Sequence, residues 1–169
     1  MTETMTLPLA DTLAALQTLE LFEGINEQTL MQVAAESEIV EFADRDWIFR
    51  ENDLAKHVYF LLSGRVALVI CRPNAGCREL MALGAGELLG WSPLVQRPRF
   101  SAAAVVRERT RAIRIDADKL TKLNEQDPKF FCNFMSRVAN IVAQRLTATR
   151  QQVLEMCGIR LPEIAIESD

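Results

Sequence analysis

The sequence predicts a mainly β domain, an antiparallel sandwich or jelly roll with flanking helices, followed by a long C-terminal helix. Three observations carry that reading. Apolar residues recur at three- and four-residue steps before Ser37, fall into short period-two runs up to Ile115, and return to helical spacing after Asp116. The β-like runs are short, near-regularly spaced and separated by turn residues, without helical crossovers between them. After Pro128 neither proline nor glycine interrupts the chain until Gly158, about thirty residues of continuous helical pattern.

Taken in order, Leu9, Leu13, Leu16, Leu19 and Phe22 form one apolar stripe, a small amphipathic helix after a loose tail. A second helix starts at the N-cap Asn26, with Ile25 and Leu30 placed as a hydrophobic staple, and runs to about Ala35. The period then changes to two from Ser37 to Phe42. Trp47–Arg50 follows a turn, and Glu51-Asn52-Asp53 makes the next corner. Val58–Leu62 and Arg65–Ile70 read as two strands joined by a tight turn at Ser63-Gly64. Pro73-Asn74-Ala75-Gly76 turns the chain into Arg78–Leu83, and two further strands are expected at about Phe100–Val106 and Thr110–Ile115. Asp116 caps a short helix over Ala117–Asn124, and Asp127-Pro128 opens the long one, proline being suited to the first helical position.

Composition bounds the function. The chain of 169 residues suits one well-buried domain. A net charge of −4 gives no general attraction to nucleic acid or anionic membranes. Charge is uneven, because every ionisable side chain before Arg45 is acidic. The N-terminus lacks the pattern of a secretory signal and no apolar run reaches membrane-span length, so a cytoplasmic location without membrane contact is expected. Cys71, Cys77, Cys132 and Cys157 lack metal-ligand spacing. Cys71 and Cys77 face each other across a turn, but a functional disulfide is not expected there. With His57 as the single histidine, read as a surface residue, and neither a nucleophile elbow nor a P-loop, no enzyme, metal or cofactor is expected.

The most informative stretch is Gly84-Ala85-Gly86-Glu87-Leu88-Leu89-Gly90-Trp91-Ser92-Pro93-Leu94, continuing to Ala104. Three glycines permit close backbone approaches, and such turns let main-chain N–H groups converge on an anion. Arg97, Arg99 and the small residues Ser101 and Ala102 follow, so the segment reads as a pocket wall.

Together with Ile48, Asn52-Asp53, Tyr59–Val66 and the long helix, this pattern resembles the cyclic nucleotide-binding domain of the catabolite activator-like regulators, over roughly Leu19 to Met156. The resemblance implies a double-stranded β-helix whose glycine-rich segment is a phosphate-binding cassette. It also implies a glutamate after Gly90 for the ribose hydroxyl and an arginine about ten residues on for the cyclic phosphate. Trp91 stands at the glutamate position, and an indole accepts no hydrogen bond. Counting puts Phe100 or Ser101 at the arginine position, and a one-residue shift of the loop puts Arg99 there. Thr149 aligns with a residue that contacts the base in dimeric members of the family.

The candidate pocket is therefore Gly90, Trp91, Ser92, Arg97, Arg99, Ser101, Ala102 and Thr149, and three occupancies stay open: a cyclic nucleotide, another small anionic ligand, or a pocket filled by Trp91. The expected organisation is a tail and helix (1–18), a cyclic nucleotide-binding-like roll (19–126), a dimerisation helix (127–157) and a frayed tail (158–169). The helix is too long for one small domain to cover, so Phe131, Met135, Val138, Val142, Leu146, Thr149 and Val153 are expected to pair with a second copy. DNA binding in this family requires a helix-turn-helix, which the residues after Gly158 are too few to form, and Arg107, Arg109 and Arg111 read as the solvated face of an edge hairpin. The reading is a stand-alone regulatory sensor with a divergent cassette, acting through an unidentified protein partner. The alternative is a true cAMP, cGMP or other small-anion receptor.

Overall fold

The computed structural model describes residues 3–5 and 9–157. Seven strands and four α-helices follow one another as β1 (Glu3–Met5), α1 (Leu9–Gln17), α2 (Glu27–Ala35), β2 (Ser37–Phe42), β3 (Trp47–Phe49), β4 (His57–Arg72), β5 (Gly76–Leu83), β6 (Leu88–Leu89), β7 (Ala103–Asp116), α3 (Ala117–Gln126) and α4 (Pro128–Cys157). Short 3₁₀ turns occupy Glu20–Phe22 and Ser92–Val95. The expected tail 158–169 lies outside the described residues.

All pairings are antiparallel, in the order β1-β2-β7-β4-β5, with β3 also on β7 and β6 on β4. The long strands β4 and β7 pair from His57↔Asp116 to Val69↔Ala103, and this ribbon bends where the register shifts between Leu61 and Val66. One half of the ribbon carries β2 and β6, the other β3 and β5. The result is the expected jelly roll followed by a long helix.

Several expectations change in detail. Ser63-Gly64 is a bulge inside β4 and not a turn between two strands, and the two strands expected around residues 100–115 are the single strand β7. Gly64 has φ +87°, and a Cβ there would lie 2.3 Å from the carbonyl oxygen of Arg109, so only glycine lets the two backbones cross at the bend. The first helix ends at Gln17, its stripe continuing into the turn at Glu20–Phe22. The tail supplies β1, paired with β2. Cys71 and Cys77 form a disulfide, because they sit directly opposite each other in the β4–β5 ladder.

Alternation along β4 explains its continuous apolar run, a strand buried on both faces. Tyr59, Leu61 and Val66 pack inside the roll with Phe42, Phe49, Leu89 and Phe100. Val58 and Phe60 face the helices, packing with Phe22, Leu120, Phe134 and Val138. The capping residues act as expected. Asn26 accepts from the Thr29 N–H, Asp116 from those of Asp118 and Lys119, and Asp127 from that of Phe130.

The first half of α4 packs on its own roll. Val138, expected at a dimer interface, is 1% exposed and belongs to this internal core, with Phe131, Met135 and Val142 partly buried against it. Further along, Leu146 and Val153 are 49% and 52% exposed.

Candidate functional site

The glycine-rich segment is tied to the roll by its backbone. The Gly86 N–H donates to the Leu61 carbonyl at 2.7 Å, and the Leu61 N–H donates to that of Glu87 at 3.0 Å. The Glu87 carboxylate caps the turn by accepting from the Gly84 N–H at 2.7 Å. Gly90, at φ +75°, lies so close to His57 and the Phe49 and Phe100 rings that a Cβ would meet them at 3.3–3.5 Å. Trp91 then leads into the 3₁₀ turn, which Gln96 ends in a left-handed conformation.

A cavity of about 340 Å³ separates this segment from α4, within the size range of small-molecule sites. Of the sequence candidates, Gly90, Trp91, Ser92, Ser101, Ala102 and Thr149 line it together. Trp91 is half-buried and forms one wall, packed against the helical core, and does not plug the space. The Thr149 hydroxyl donates to the Arg145 carbonyl on its own helix.

Arg97 and Arg99 are not part of the lining. Residues 98–100 are zipped to the corner after β3: Ala55 N–H donates to the Pro98 carbonyl, Asn52 N–H to that of Phe100, and Phe100 N–H to that of Asp53. That register turns Arg99 outward, where it is exposed and donates to the Asn52 carbonyl at 2.6 Å. Phe100 takes the inward place and stacks on Phe49. Trp91 and Phe100 thus both place aromatic rings in the lining of the cavity.

The residue that sequence reasoning missed is Arg145. It lines this cavity and also a neighbouring one of about 430 Å³, bounded by Glu20, Glu23 and Glu87. Its side chain is 14% exposed. Nη2 donates to the Leu88 carbonyl, and the nearest carboxylate oxygen, on Glu87, is 3.9 Å away. Burial pulls its pKa below the usual arginine value, and Glu87 opposes that. A signal for it existed: Val138, Val142 and Leu146 lie on the apolar stripe of α4, and Arg145 interrupts it at helical spacing. Arg137 and Gln152, on the same helix, donate to the carbonyls of Glu20, Leu21 and Leu80.

Other candidates have different settings. His57 opens β4, half-buried and not on the surface, and burial lowers its pKa. Arg107, Arg109 and Arg111 lie within β7 and pair with Glu79 at 3.0 Å and with Glu41 at 2.7 and 3.2 Å. Among the described residues no cluster of three metal-ligating side chains occurs, and no helix is long and apolar enough to cross a membrane.

A jelly roll whose glycine-rich segment faces a long helix across a cavity is the architecture of the chain. The cyclic nucleotide-binding domain family matches residues 39–127, and the chain belongs to that family. It is 21% identical over 143 residues to a CRP-like cAMP-activated global transcriptional regulator of Mycobacterium tuberculosis, covering 84% of this chain and 62% of that protein. The chain therefore spans less than two thirds of the length of this relative. Among solved structures it is similar to a cyclic nucleotide-binding domain from Methylobacillus flagellatus, with TM-score 0.78, 17% identity and coverage of 96% and 92% of the two chains. The sensor domain of the transcriptional regulator DNR from Pseudomonas aeruginosa is similar at TM-score 0.69, 17% identity and coverage of 95% and 97%.

Proposed function

We propose that this chain is a regulatory sensor that holds a small ligand other than a cyclic nucleotide between its roll and α4, and that α4 passes the signal on through protein contacts. The observation that supports this reading is an open cavity between the glycine-rich segment and α4, lined by Trp91, Phe100 and Ser101, the residues that the family resemblance sets at the glutamate and arginine positions. A ribose hydroxyl would lack its acceptor there, and a cyclic phosphate its cassette cation. The exposed distal part of α4, with Leu146 and Val153, is the surface on which a second copy would pair. The arginines of β7 are matched by glutamates, which supports protein contacts over nucleic acid as the output.

True cyclic nucleotide binding is the second reading. It is favoured by the placement of Ser101, Ala102 and Thr149 around one cavity.

A thermal-shift screen separates the two, since a ligand that binds only the native state raises Tm. cAMP and cGMP at millimolar concentration are expected to leave Tm unchanged, and a clear rise with either makes the second reading the correct one. Sedimentation of the chain beside Leu146→Glu tests the pairing surface. A dimer that becomes monomeric supports it, and a monomeric parent chain rules it out.

A further inference from the structure

We infer that Arg145, from α4, is the anion-binding residue of this cavity, and that the ligand is a carboxylic acid with an apolar body. The inference rests on the sensor reading above and specifies its ligand. Among the described residues, Arg145 is the single ionisable one in a lining otherwise made of apolar, small and hydroxyl side chains, among them Phe49, Leu68, Met81 and Val142. Among the described residues no acidic side chain lines it, whereas Glu20, Glu23 and Glu87 border the neighbouring cavity and disfavour an anion.

The guanidinium is set up for a partner. Nη2 is engaged by the Leu88 carbonyl, while Nη1 is shielded from solvent and has no hydrogen-bond partner among the described residues. Glu87 at 3.9 Å is beyond hydrogen-bond distance, and its side chain is nearly half exposed. A buried, incompletely paired cation is costly. A carboxylate in the cavity that drew the guanidinium out of its shielded position would satisfy Nη1 and compensate the charge in one step. One cation matches one negative charge, and apolar walls reject a second. The remaining surface recognises a hydrocarbon chain or ring, in contact with Trp91 on one side and with α4 on the other. Because Arg145 lies on α4 and reaches across to Leu88 in β6, such a ligand would bear directly on the contact between helix and roll.

The full chain carrying Trp47→Phe leaves Trp91 as its one tryptophan and places the reporter in the cavity wall. Decanoate and phenylacetate are titrated beside the neutral phenylacetamide and beside cAMP. The carboxylates are expected to change Trp91 emission saturably, phenylacetamide to bind at least about tenfold more weakly, and Arg145→Gln to weaken the carboxylates by about tenfold or more. Equal binding of acid and amide, or carboxylate binding indifferent to Arg145→Gln, overturns this inference and leaves the sensor reading standing. cAMP binding without carboxylate binding overturns it as well, in favour of the nucleotide reading. No saturable change with any of the probes overturns both the inference and the sensor reading for these ligand classes. The acid-to-amide comparison on the parent chain decides the matter even where Arg145→Gln does not fold.

Discussion

Phe100 stacks on Phe49 with ring centroids 3.7 Å apart and planes 15° from parallel, and both rings line the cavity beside α4. Both rings belong to the core inside the roll, and Phe100 is buried. Phe100→Ala is expected to cost about 3–5 kcal/mol, the range for deleting a buried phenylalanine. Urea unfolding of the variant measures this. A loss below about 1 kcal/mol would show that the stack is dispensable and that the inward place is not a core position.

Gly64 marks the bend of the β4–β7 ribbon. Gly64→Ala places a methyl group 2.3–2.6 Å from Arg109 and Thr110 at a positive φ, and is expected to cost about 2–3 kcal/mol through backbone displacement. Gly24 has a similar φ but nothing within 4 Å of an added Cβ, so Gly24→Ala is the milder control. Equal losses in Tm for the two variants would contradict the close crossing.

Acidification should weaken the fold in two stages. Burial, followed by the Arg114 charge, holds the His57 imidazole below its ordinary 6.5. The Phe130 N–H, followed by the Thr29 hydroxyl, holds the Asp127 carboxyl below its ordinary 3.8. A group whose folded value is depressed contributes stability that is present above its unfolded value and lost as pH falls through the folded one. His57 therefore acts below pH 6.5 and Asp127 below pH 3.8. In Tm measured against pH, His57→Gln should flatten the upper stage and Asp127→Asn the lower. A variant with the parent's pH profile removes its residue from this account.

The disulfide closes a six-residue separation at the tip of the β4–β5 hairpin. Chain entropy for so short a loop gives roughly 2 kcal/mol. Denaturation midpoints with and without a reductant should differ accordingly, and the double variant Cys71→Ser/Cys77→Ser should show no dependence on reductant. A parent chain indifferent to reductant would mean that the link does not stabilise the fold.

Local chemistry was legible wherever a residue acts on its own neighbours. Asn26, Asp116 and Asp127-Pro128 start helices because their side chains, or a preset φ, satisfy the adjacent backbone. Six of the eight candidate pocket residues line one cavity, five of them on the segment from Gly90 to Ala102 and the sixth, Thr149, on α4. What escaped depends on distant partners. A glycine at positive φ serves a tight turn and a bulge equally well, and only pairing with β7 makes Gly64 the latter. Arg99 matched the family pattern along the chain, but hydrogen bonds from Asn52 and Ala55 set the register that turns it outward. Arg145 stands at helical spacing within the apolar stripe of α4, but its partner, the Leu88 carbonyl, is far away along the chain.

The anchoring of α4 has a mechanical side. Its deepest contacts are Phe134 and Val138 near one end, Ile141 and Val142 pack partly beside them, and Arg145 and Gln152 add hydrogen bonds to backbone carbonyls of β6 and β5. With a rise of 1.5 Å per residue, the helix extends ~28 Å beyond Val138. It is a lever with its fulcrum in the core, and a tilt of about 10° would sweep its far end through ~5 Å. Under the proposed function, a change of hydrogen-bond partner at Arg145 that tilted the helix would be amplified towards Val153.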